Sequence, residues 1–152
     1  MAGKSFAFEV NRTSSAPAST LFGLVADGSR WSEWAGPLIP SSSWARRGAL
    51  EDAGVGAVRK LGVGPLGVKE ETTAYEQDAV GGYRHAYKLL GLAPISGYHA
   101  EVRFAPTADG RTEISWRGEF TERVPGTGRI FEKALGSVIG QLATRLTSYA
   151  ER

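Results

Sequence analysis

At Thr127 the hydrophobic period of this chain changes, and the change limits what the whole chain can fold into. Phe131, Leu135, Val138, Leu142, Leu146 and Tyr149 recur at spacings of three and four, one apolar stripe on a helix that Thr127 can cap. Lys133, Ser137, Thr144 and Ser148 fall on the opposite side. Gly136 and Gly140 sit on the polar flank, where each costs about 1 kcal/mol against alanine. Between Leu38 and Glu122 no such period exists, only short segments separated by turn residues. A long amphipathic helix must bury its stripe on something, and the surface offered to it is a sheet. The order is α+β, with the last helix lying on antiparallel strands.

The segments are Ser42–Arg47, Ala57–Val63, Val68–Glu76, Tyr83–Leu89, Tyr98–Phe104 and Thr112–Phe120, read as strands. Breaks at Gly64-Pro65, Gly81-Gly82, Pro94 and Asp109-Gly110 suit hairpins, and neighbours this close in sequence pair antiparallel. Before them, Phe6, Phe8 and Val10 alternate with Ala7, Glu9 and Asn11, a half-buried strand. Ser14-Ser15-Ala16-Pro17 then opens a helix with stripe residues Leu21, Leu24 and Val25, closed by Gly28. A second short helix fits Ser29 to Trp34, capped by Ser29. The reading is a single domain over residues 1–152, with no internal repeat.

Composition removes several functions. Cys is absent and there are only two histidines, His85 and His99, so disulfides, iron–sulfur clusters, cysteine nucleophiles and a His-rich metal site are not expected. No metal and no organic cofactor is indicated. Lys+Arg 18 against Asp+Glu 16 gives +2, and no basic run is longer than Arg46-Arg47, which argues against a nucleic-acid partner. No window approaches about 20 apolar residues, so no membrane span is expected. The start carries no signal-like apolar stretch, and the cytoplasm is the expected location. Gly62-Val63-Gly64-Pro65-Leu66-Gly67 matches a dinucleotide fingerprint, but a strand-like Val68–Thr73 follows instead of a helix, so it reads as a hairpin loop. Two scattered histidines assemble no Ser/His/Asp triad.

Symmetric pairing about the turns predicts a register. Leu61 faces Val68, and Arg59 faces Glu70. Tyr87 opposes Ala100, His85 opposes Val102, and Tyr83 opposes Phe104. Val102 neighbours Trp116, and Ala100 neighbours Gly118. One face therefore carries Tyr83, His85, Tyr87, Tyr98, Val102, Phe104, Ile114, Trp116 and Phe120, because alternate residues of a strand share a side. Such a face beneath a helix suits either an apolar pocket with a few orienting polar groups or an aromatic core.

Each candidate has two readings. His85 is a general base or a neutral buried histidine, while His99, of opposite parity, is exposed. Arg59 holds a ligand carboxylate or enolate while Glu70 orients it, or else the two form a surface ion pair worth under about 1 kcal/mol. Trp31 and Trp34, three apart, make a lid over the cavity or dock a short helix. Tyr83, Tyr87 and Tyr98 offer hydroxyls to a ligand or to the backbone. Phe131, Leu135 and Ile139 form the helix-side wall.

Trp31-Ser32-Glu33-Trp34, Gly56-Ala57-Val58-Arg59, Trp116-Arg117-Gly118 and Val124-Pro125-Gly126-Thr127-Gly128, taken with this arrangement, resemble the START-like (SRPBCC) superfamily. The resemblance is to its bacterial polyketide cyclase/dehydrase and lipid-transport group, and it covers essentially the whole chain. It implies a helix-grip fold, a curved seven-stranded antiparallel sheet around the C-terminal helix, with two short helices after the first strand. It also implies a hydrophobic cavity that takes a lipid, sterol or polyketide-like molecule, with cyclisation or dehydration in a minority of members. The leading expectation is binding of a small hydrophobic molecule oriented by Arg59, Glu70, His85 and Tyr87. The alternative is a polyketide cyclase/dehydratase with His85 or Glu70 as general base. A filled interior would instead indicate a domain acting through protein contacts.

Overall fold

The computed structural model describes residues 3–63, 66–91 and 94–152. Seven strands form one antiparallel sheet: β1 (Ser5–Ser14), β2 (Ser41–Arg46), β3 (Val58–Val63), β4 (Leu66–Gln77), β5 (Tyr83–Leu90), β6 (Ile95–Pro106) and β7 (Thr112–Glu122). Their spatial order is β1-β7-β6-β5-β4-β3-β2. The chain thus crosses from one edge to the other between β1 and β2, carrying α1 (Ala18–Ala26) and α2 (Trp31–Ala35), and it ends in α3 (Gly128–Ala150). This is the helix-grip architecture: a curved sheet closed over a long C-terminal helix.

The turn symmetry predicts the register correctly. Arg59 pairs with Glu70 and Leu61 with Val68. Tyr87, His85 and Tyr83 oppose Ala100, Val102 and Phe104, and Val102 and Ala100 oppose Trp116 and Gly118. The Gly64-Pro65 turn lies outside the described residues, but its flanking strands pair down to Val63 and Leu66. A bulge between Thr72 and Ala74 shifts the side-chain parity of β4 and brings Tyr75 opposite His85. A second lies between Ser96 and His99 in β6. Bulges of this kind bend a strand and increase its twist.

The helix caps differ from expectation. Pro17 precedes α1, with no side-chain cap, while Ser14 Oγ accepts from Ala16 N and donates to Glu151 at the end of α3. Ser29 does not cap α2; its N–H and hydroxyl both bond Asp27 Oδ1. Thr127 makes no side-chain cap either. The buried Glu122 at the end of β7 accepts from Gly126 N and Gly128 N at 3.2 and 3.1 Å. A carboxylate there also favours the positive end of the helix dipole.

In α3, Ile139, Leu142, Ala143 and Leu146 are buried, whereas Phe131 and Leu135 are only partly covered. Lys133, Ser137, Thr144 and Ser148 are exposed as expected. Gly136 and Gly140 lie toward β1: Arg12 Nη2 donates to Gly140 O at 3.1 Å. A Cβ on Gly136 would meet nothing nearer than Phe8 Cβ at 3.9 Å. We therefore expect Gly136→Ala to stabilise the protein by about 0.5–1 kcal/mol in urea denaturation. Gly118 is the opposite case, because a Cβ there would collide with the Phe8 ring and crowd Tyr98. Gly118→Ala should cost about 1–3 kcal/mol.

Candidate functional site

The aromatic side of the sheet is divided into a solid part and a hollow part. α1 places Phe22 against Tyr83, Tyr75, Phe104 and His85, with ring centroids 4.7, 4.9, 6.3 and 6.5 Å away. That end is packed. The N-terminal half of α3 covers the other end less tightly, its Phe131 and Leu135 only partly buried, and a pocket of about 290 Å³ lies beneath it. Trp31 and Ile39, Leu61 of β3, Val68 and Glu70 of β4, and Tyr87 and Leu89 of β5 form its sheet side. Pro94, Ile95 and Tyr98 close one end, and Phe131, Leu135, Val138, Ile139 and Leu142 form the helix side.

Seven of the residues singled out from the sequence meet there: Trp31, Glu70, Tyr87, Tyr98, Phe131, Leu135 and Ile139. Six do not line it. Tyr83 and His85 belong to the packed end beside Phe22. Val102 and Trp116 are fully buried in the core, where Trp116 Nε1 donates to the Tyr87 hydroxyl at 3.2 Å. Trp34 lies behind Trp31, their ring centroids 4.6 Å apart. Both indoles are held in place, donating to Val25 O and Leu24 O at the end of α1.

Arg59 is the largest departure. It shares the inner face with Leu61 as the register required, but its guanidinium turns beneath α2 and not into the pocket. Only 1% of it is exposed. Its plane lies 4.3 Å from the Trp31 ring centroid and 4.7 Å from that of Tyr87. Nη1 donates to Val25 O at 2.6 Å, and Nε donates to Glu70 Oε1 at 3.0 Å. Nη2 lies 2.9 Å from the same oxygen and completes the ion pair, without a hydrogen bond of its own among the described residues. The pair is therefore an interior one, not the surface ion pair that sequence alone allowed. It occupies one carboxylate oxygen and leaves Glu70 Oε2 without a hydrogen bond among the described residues.

Electrostatics follow from burial. Desolvation pushes the Glu70 carboxyl above its ordinary range, against the opposing pull of Arg59. His85 has no exposed surface; among the described residues Thr72 Oγ1, at 3.4 Å, is the one hydrogen-bond partner of its Nε2, and Nδ1 has none. Desolvation, with the Arg59 charge adding to it, drives His85 well below 6.5 and keeps the ring neutral. Burial raises the Tyr87 and Tyr98 phenols, so both hydroxyls keep their protons near neutrality. His99 is exposed and faces Glu119 at 3.4 Å.

Leu61 and Val68 could be placed on this face from the register, and Val138 and Leu142 belong to the helix stripe. Ile39 follows α2 in a segment with no period to reveal it. Among the described residues no three His, Asp or Glu side chains gather as a metal site, and no helix is long and apolar enough to cross a membrane.

A curved sheet gripping a helix over an apolar hollow defines a class of fold. Residues 5–151 match the family described as polyketide cyclase / dehydrase and lipid transport, and the chain belongs to it. Solved structures agree on the fold. A START superfamily protein from Mycobacterium smegmatis superposes with a TM-score of 0.75 at 17% identity, covering 95% of this chain and 97% of that one. Ara h 8.0201 gives 0.71 at 19% identity over 97% and 98%. A Thalictrum flavum norcoclaurine synthase point mutant in complex with a transition-state analogue gives 0.75 at 11% identity over 99% and 96%. No curated protein sequence matches the chain significantly.

Proposed function

We propose that the protein binds a small, mostly apolar molecule of one or two rings in the hollow beneath the N-terminal half of α3. The observation that carries this reading is the pocket of about 290 Å³, walled by aliphatic and aromatic side chains with Glu70 as its one charged group among the described residues. An engineered apolar cavity of about 150 Å³ holds benzene, so roughly twice that volume suits a bicyclic ring system better than a whole sterol or lipid. Burying roughly 200 Å² of ring surface at about 25 cal/mol per Å² contributes on the order of 5 kcal/mol. Affinities from tens of micromolar to millimolar follow for a bare ring compound.

Naphthalene, titrated while tryptophan emission is recorded, tests this reading because Trp31 is part of the wall. The wild type should show a saturable change. Leu135→Trp, which fills the hollow from the partly exposed helix side, should bind at least about tenfold more weakly with an unchanged melting temperature. Equal titration curves for the two proteins would place binding elsewhere and end the proposal.

A second reading has one observation in its favour: a carboxylate with a raised pKa stands in the pocket wall. If the ligand carries an acidic C–H, Glu70 is the group positioned to take the proton, in a cyclisation or dehydration. His85 has no such access. Glu70→Gln would then abolish turnover of a bound substrate while leaving its affinity within a few-fold.

A further inference from the structure

The polar equipment of the pocket is unequal. Glu70, its side chain 9% exposed, offers Oε2, an acceptor with no donor among the described residues. The cation that would balance an acidic ligand is out of reach, because the Arg59 guanidinium lies behind the rings of Trp31 and Tyr87. Tyr87 already receives the Trp116 indole N–H. Tyr98, the other hydroxyl in the wall, is neutral and cannot offset a second negative charge.

An acceptor in the pocket wall with no protein donor is free to take one from a ligand. A ligand ending in O–H or N–H supplies it through a charge-assisted hydrogen bond. A ligand carboxylate instead brings like charge against Glu70 inside an apolar wall, losing its hydration with no cation in exchange. We propose, building on the binding reading above, that the pocket selects ring compounds carrying a hydroxyl or amine donor, with Glu70 Oε2 as acceptor, and rejects carboxylates. This reverses the ligand chemistry that the sequence suggested for Arg59.

Calorimetric titration of the wild type with 2-naphthol, naphthalene and 2-naphthoate at neutral pH tests the proposal without any variant. The expected order is 2-naphthol about tenfold tighter than naphthalene, and 2-naphthoate at least about tenfold weaker than naphthalene. Glu70→Gln can keep its oxygen on Arg59 and turn an N–H toward the ligand. In that variant the preference for 2-naphthol should vanish and 2-naphthoate should gain. Near-UV circular dichroism checks that it folds; if it does not, the three wild-type titrations decide alone. Equal affinity for 2-naphthol and naphthalene, or a wild type that takes 2-naphthoate as well as naphthalene, overturns the donor selection and leaves the pocket reading standing. Binding of none of the three overturns both.

Discussion

Arg59→Leu should lower the unfolding free energy by about 3–5 kcal/mol in urea denaturation. The guanidinium is 1% exposed, stacked between Trp31 and Tyr87, bonded to Val25 O and paired with Glu70. Removing it leaves a carboxylate buried without a partner, costly in a low-dielectric interior, and leaves Val25 O with the Trp31 indole N–H as its remaining side-chain donor. Arg59→Lys should recover little, because an ammonium neither stacks between two rings nor reaches two acceptors as a planar fork does. The double variant Arg59→Leu with Glu70→Leu should regain much of the loss, since an apolar pair can replace a buried ion pair at little net cost. A loss under about 1 kcal/mol for Arg59→Leu would be the signature of an exposed pair and would contradict this burial.

The second large effect is on acid stability. His85 is neutral in the folded protein because its pKa is depressed well below 6.5, whereas in the unfolded chain it takes up a proton as pH falls through about 6.5. The unfolded state then binds more protons, so stability present above that value is lost progressively on acidification. The loss is on the order of 1 kcal/mol by pH 5.5 from this group alone. Glu70 acts in the opposite sense. Its carboxyl is raised in the fold, so between its ordinary value of 4.5 and the raised one the folded state holds the extra proton and acidification favours it. Comparison with His85→Gln isolates the histidine. Urea unfolding from pH 7.5 to 5.5 should show the wild type losing that increment relative to the variant, and parallel curves would mean that His85 protonates within the fold.

Much of this architecture is legible in the sequence, for physical reasons that can be named. Hairpin turns restrict register, so Gly81-Gly82, Pro94 and Asp109-Gly110 suffice to set Tyr87 opposite Ala100 and Val102 opposite Trp116. Side-chain parity then assigns the inner face. Parity says nothing about where the tip of a long side chain goes. Parity places Arg59 on the correct face, yet its guanidinium is drawn beneath α2 by two rings and a helix-end carbonyl, Val25 O, of which the Trp31 ring and that carbonyl belong to distant segments. Nor does parity say how deeply a helix fills the sheet. Phe22 occupies the space around Tyr83 and His85, which removes both from the hollow. No periodicity reports that a single phenylalanine of α1 fills one end while the other stays open. The bulge at Thr72/Ala74, which turns Tyr75 toward Phe22, has no turn residue to announce it.

The account stands on occupancy of the space beneath α3. A crystal of the protein grown with 2-bromonaphthalene, measured at the bromine absorption edge, locates that ligand by its anomalous signal. The prediction is one strong bromine peak among Val68, Leu135 and Ile139, residues that line the pocket. A peak only at the surface, or no peak with the Phe131 and Leu135 side chains closed over a filled interior, would contradict it.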